Sequence, residues 1–98
     1  MEDLELTTSR ALTDWRRVPR PVLLLLTAVA VRGGRDGITK PDALFHARWT
    51  FGGRLMSDAT LRRAWLALLE LTDGNGEPIV DALPGDRYAL AVLREVTP

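Results

Sequence analysis

Ten residues, Val22 to Val31 (VLLLLTAVAV), set the strongest limit on what this chain can fold into. They are uncharged and apolar except for Thr27. Crossing a bilayer takes about 20 such residues, so this run reads as a buried helix. Its flanks agree. Pro19 and Pro21, in RRVPRP, fix φ and bias the residues before them to extended shapes. Pro21 then suits the first turn of a helix, where its missing N–H loses nothing. At the other end, Arg32 suits the negative helix terminus, and Gly33 or Gly34 tolerates the left-handed backbone of a cap. The first helix is therefore expected over Pro21–Val31. A secretion signal is not expected, because residues 1–21 carry four acids and no cleavage site stands out.

Further along, Asp36-Gly37 marks a turn, and Ile38 reads as a one-residue strand fragment or a hydrophobic plug. Thr39 is expected to cap a short second helix, with Asp42 three residues on and Pro41 in the first turn. Leu44, Phe45 and Trp49 fall at core spacing on that helix, and Trp49 is expected beside Trp65. His46 falls on its exposed side. Thr50 to Met56 is a loop, since Gly52-Gly53 does not continue a helix. Ser57 then caps a third helix, Asp58 to about Leu71, with Asp58 favourably placed in its first turn. At about 100° per residue, Leu61, Ala64, Trp65, Leu68 and Leu71 share one face. Arg62, Arg63, Leu66, Ala67 and Glu70 lie opposite.

The end of the chain reads as a hairpin. PIVDAL and DRYALAVL are apolar runs joined by Pro84-Gly85. Tyr88, Leu90 and Val92 point one way, and Ala89, Ala91 and Leu93 the other. The expected core draws on Val22, Leu23, Leu25, Leu26, Val29, Leu44, Phe45, Trp49, Leu61, Trp65, Leu68, Ile79, Tyr88 and Leu90. The expected fold is mainly α with a small β-hairpin: three helices plus a C-terminal two-stranded wing, which is the winged helix-turn-helix layout. Residues 1–19 read as an N-terminal arm or short hairpin, and residues 20–94 as the domain.

Composition narrows the function. At 98 residues the chain is one domain's worth, with ordinary hydrophobic and charged fractions of 46% and 27%. The absence of cysteine excludes disulfides, thiol nucleophiles and thiolate metal sites. One histidine does not build a zinc site. The net charge is zero, but it is unevenly spread: −3 over residues 1–9, +7 over residues 10–63 and −4 over residues 64–98. Asp36, Asp42, Asp58, Asp73 and Glu77 are explained by caps and turns. GGRDG lacks the lysine-serine ending of a phosphate loop, and DGNG lacks the ligand ladder of a calcium loop. No catalytic set, cofactor or metal site is expected, and neither is an enzyme.

The segments VRGGRDGIT, KPDALFHARW, SDATL and GDRYALA, in that order, carry a family pattern. The chain resembles the OmpR/PhoB-type winged-helix domain, as found in response-regulator effectors and antibiotic-regulator activators, over about residues 20 to 93. The resemblance implies a bacterial, cytoplasmic transcription regulator that binds double-stranded DNA, with no membrane segment. It departs from the pattern at Leu66, Ala67 and Glu70, where the family's third helix is usually basic. It also has only about 20 residues before the first helix, too few for the family's N-terminal four-stranded sheet.

Two functions follow. In the first, the third helix enters the major groove. Arg54, Ser57, Thr60, Arg62, Arg63 and Arg87 then contact DNA, with Arg16 and Arg17 as a basic arm. In the second, Leu66, Ala67 and Glu70 seat a protein partner or a second copy of the chain. Trp15 is expected to pack in the N-terminal segment; a stacking role toward nucleic acid is its alternative.

Overall fold

A computed structural model describes residues 18–95. The expected arm or hairpin at residues 1–19, with Trp15, Arg16 and Arg17, lies almost wholly outside the described residues. The helix that opens the fold, α1, spans Arg20–Ala28 and continues as one π-helical turn over Val29–Gly33. Pro21 sits in its first turn, as its fixed φ favours. Val22, Leu25, Ala28 and Val29 are at most 2% exposed. Leu24 and Leu26 pack against this core from its margin. Thr27 keeps its hydroxyl out of the core by donating to the Leu23 carbonyl at 2.8 Å. The helix ends at Gly34, whose φ is 54°. The break thus falls on a residue without a Cβ penalty.

Strand β1, Ile38–Thr39, leads directly into α2, Lys40–Trp49. Thr39 caps α2 by accepting from the Asp42 N–H at 3.4 Å. The face that α2 buries differs from expectation. Ala43 and Ala47 are fully buried, Leu44 only partly, while Phe45 and Trp49 are 55% and 53% exposed. Trp49 therefore does not pack in the core beside Trp65. The physical reason is the spacing of the two alanines, four residues apart on one face. Their small side chains let α2 lie close to α1, and its large aromatics turn outward.

The loop from α2 to the next helix is closed by Gly53, whose N–H donates to the Ala47 carbonyl at 2.9 Å. A Cβ on Gly53 would stand 2.8 Å from that same oxygen. Helix α3, Asp58–Glu70, begins at Ser57, whose hydroxyl accepts from the Thr60 N–H at 3.1 Å. Leu61, Ala64, Trp65 and Leu68 form its buried face, as their spacing predicts.

The hairpin comprises β2, Val80–Leu83, and β3, Arg87–Leu90, paired antiparallel with Ala82 opposite Tyr88. Gly85 and Asp86, with φ of 80° and 56°, make its turn. Two features go beyond the expected two-stranded wing. The sheet has three strands in the order β1-β3-β2, because Ile38 pairs with Tyr88 and Thr39 with Arg87. A short helix, α4, Ala91–Glu95, follows β3, so Ala91, Val92 and Leu93 do not extend the strand. The isolated hydrophobe Ile38 is both a strand residue and a plug, 6% exposed. The Tyr88 and Trp65 rings meet edge to face at 4.9 Å between centroids, which fastens the sheet to α3.

Candidate nucleic-acid interface

Every residue expected on the outward face of α3 is exposed: Arg62, Arg63, Leu66, Ala67 and Glu70. This follows from the 3.6-residue period. Once Leu61, Trp65 and Leu68 face the core, positions 62, 63, 66 and 70 have nowhere else to point. Arg62 is not free of the protein's own acids. Its Nη2 lies 3.0 Å from Asp58 Oδ2, one turn earlier. Both side chains are more than half exposed, so the pair contributes only about 0.3–0.5 kcal/mol. The other oxygen of Asp58 lies 3.8 Å from Arg48 Nη1, across the gap to α2. Arg63 makes no ion pair among the described residues.

Ser57 and Thr60 are occupied with each other. Beyond the cap, the Ser57 hydroxyl donates to Thr60 Oγ1 at 2.8 Å. Their first role is to start α3. Arg54 stands with its guanidinium 5.9 Å from the centre of the Trp49 ring, on the α2 side of the loop. Arg87 is exposed on β3, and its Nη1 donates to the Gly37 carbonyl at 3.2 Å. The structure thus gathers Ser57, Thr60 and Arg62 on the first turns of α3 with Arg63 next to them, and leaves Arg54 and Arg87 on other elements. Arg16 and Arg17 lie outside the described residues.

Sequence reasoning missed Arg48, whose Nη1 comes within 3.8 Å of Asp58 at the start of α3. It also missed the exposed pair Phe45 and Trp49.

Between the start of α2 and the hairpin turn lies a cleft of about 490 Å³, lined by Thr39, Lys40, Pro41, Gly85, Asp86 and Tyr88. It holds one cation, Lys40, and one anion, Asp86, so it offers no net charge to a charged ligand. No group of three or more His, Asp or Glu able to hold a metal occurs among the described residues. Asp73, in the DGNG segment, spends Oδ1 on the N–H groups of Asn75 and Glu77 at 2.8 and 3.0 Å, as a turn-forming aspartate does. His46 Nδ1 lies 2.8 Å from Thr50 Oγ1. No described helix is long and apolar enough to cross a membrane.

Comparison with family models, with curated proteins and with solved structures gives no match for this chain.

Proposed function

We propose that the chain is a winged helix-turn-helix module that binds double-stranded DNA, as OmpR/PhoB-type domains do. Helix α3 is the element offered to the major groove, and the β2–β3 hairpin, bearing Arg87, is the wing. The observation that carries this reading is the exposure of Arg62 and Arg63 on a helix whose opposite face is wholly buried. Such a helix is held rigidly while its two guanidinium groups stay available for phosphates or for the O6 and N7 atoms of guanine. The strand order β1-β3-β2 supports it, since pairing with β1 stops the hairpin from swinging freely. The Asp58 contact is no barrier, because exposed pairs of this kind exchange partners at little cost.

The test is a titration of a fluorescent duplex at low and moderate salt. Arginine–phosphate contacts release counterions, so affinity should fall steeply as salt rises. Removing both arginines, in Arg62→Ala/Arg63→Ala, should weaken binding and flatten the salt slope by about one unit per lost phosphate contact. Absence of binding at low salt would falsify the reading.

A second reading has one observation of its own. Leu66 is 61% exposed in the middle of the same face, beside exposed Ala67 and Glu70. A leucine there suits a protein partner or a second copy of the chain, and Glu70 opposes phosphate. On this reading Leu66→Asp abolishes a concentration-dependent assembly seen by sedimentation, and the duplex titration stays flat.

A further inference from the structure

We propose that the outward face of α2 docks a short acidic segment of a partner protein, one that carries a leucine or an aromatic side chain. This face lies on a different helix from the outward face of α3, although Asp58 stands near an arginine of each, and the inference stands whether or not α3 binds DNA. Phe45 and Trp49 lie one turn apart on it and are each more than half exposed. Two large aromatic groups left uncovered one turn apart are uncommon on a monomer unless something binds them. Tryptophan and arginine are also among the residues most enriched at the energetic centre of protein interfaces.

Charge decides what the occupant is. Arg48 and Arg54 both rest against Trp49, at 5.4 and 5.9 Å from the ring centre. Arg48 is poorly partnered: its Nε is buried without an acceptor, and Asp58 is 3.8 Å from its Nη1, beyond hydrogen-bonding distance. Arg54 has no ion pair among the described residues. The C-terminal end of the face is therefore cationic and apolar at once, and a carboxylate beside a leucine complements both properties. Asp42, one turn before Phe45, orients the occupant, so its acids belong at the Arg48–Arg54 end. Duplex DNA fits less well. It offers phosphates to the arginines, but its stacked bases give Phe45 and Trp49 nothing to cover them.

The experiment titrates the full chain into a fluorescein-labelled, end-blocked peptide of glutamates interspersed with leucine and phenylalanine. Its glutamine counterpart, an oligothymidine strand and sedimentation of the chain alone run in parallel. Expected is saturable binding of the acidic peptide, at least about tenfold weaker in Trp49→Ala and in Arg48→Gln/Arg54→Gln, and unchanged in Arg63→Ala. Should Trp49→Ala fail to fold, Arg54→Gln, on an exposed loop side chain, reads the same loss. No saturable binding, equal binding of the glutamine peptide, or indifference to these substitutions overturns the proposal. So does tighter binding of the oligothymidine. So does self-association abolished by Phe45→Ala/Trp49→Ala, which would assign the face to a second copy.

Discussion

Asp58 Oδ2 lies 3.0 Å from Arg62 Nη2, and the carboxylate's other oxygen reaches toward Arg48 on the preceding helix. One acid thus stands between the arginine proposed to meet DNA and the arginine beside the Trp49 ring. It has two roles that pull apart on substitution. As an anion in the first turn of α3 it favours the helix by about 0.3–1 kcal/mol. As a partner of Arg62 it competes with phosphate on the proposed DNA-binding reading. Asp58→Asn should therefore lower the melting temperature slightly while tightening duplex binding severalfold. That gain matches the roughly 0.2–1 kcal/mol of an exposed ion pair. Calorimetry and the duplex titration on one preparation check both signs.

Ser57 is the simplest stability test of α3. Its hydroxyl satisfies the Thr60 N–H, one of the donors that a helix start leaves without a partner. Ser57→Ala should cost about 1 kcal/mol in urea unfolding, with Ser57→Asp retaining most of the stability. Equal stability of all three proteins would mean that the cap contributes nothing.

The inward face of α2 can be checked by a pair of substitutions with opposite expectations. Ala43 is fully buried, so Ala43→Leu overpacks the contact with α1 and should cost about 1–3 kcal/mol. Phe45 is mostly exposed, so Phe45→Ala should stay within about 0.5 kcal/mol of the parent. The reverse ranking in chemical denaturation would restore Phe45 to the core.

Gly53 closes the loop between α2 and α3. Its Cβ would fall 2.8 Å from the Ala47 carbonyl oxygen, a backbone atom that does not move aside cheaply. Gly53→Ala should cost about 1–3 kcal/mol. Gly76→Ala meets no atom within 4 Å but sits at φ 81°, so its smaller loss reports backbone strain alone.

How much was legible in the sequence varies by element. The helix starts were, because Thr39, Ser57 and Pro21 act through their nearest neighbours along the chain. The outward face of α3 was too, because an unbroken 3.6-residue repeat in Leu61, Trp65 and Leu68 leaves one orientation. Helix α2 was not. Its ten residues contain two alanines and three large apolar groups, and periodicity alone ranks the large ones inward. The choice depends on how near α1 comes, which a reading confined to the residues of α2 does not contain. The third strand was half visible: Ile38 stood out as a lone hydrophobe, but its partner Tyr88 lies fifty residues away. The strand-to-helix change at Ala91 was masked by β-compatible Val92. At the candidate interface, spacing along α3 was enough to place Arg62 and Arg63 outward, whereas Arg54 and Arg87 stand on other elements and Arg16 and Arg17 lie outside the described residues. Arg48 and the α2 aromatics were missed for the same reason as the α2 face itself.

Pairing of Ile38 with Tyr88 has a mechanical consequence. Thr39, the cap of α2, is the other residue of β1 and is bonded into the same ladder opposite Arg87. Any tilt of the hairpin thus drags the base of α2 with it, as a handle moves a hinge pin. Two residues of backbone form that coupling, and amide exchange at Ile38 and Tyr88 should slow or quicken in step.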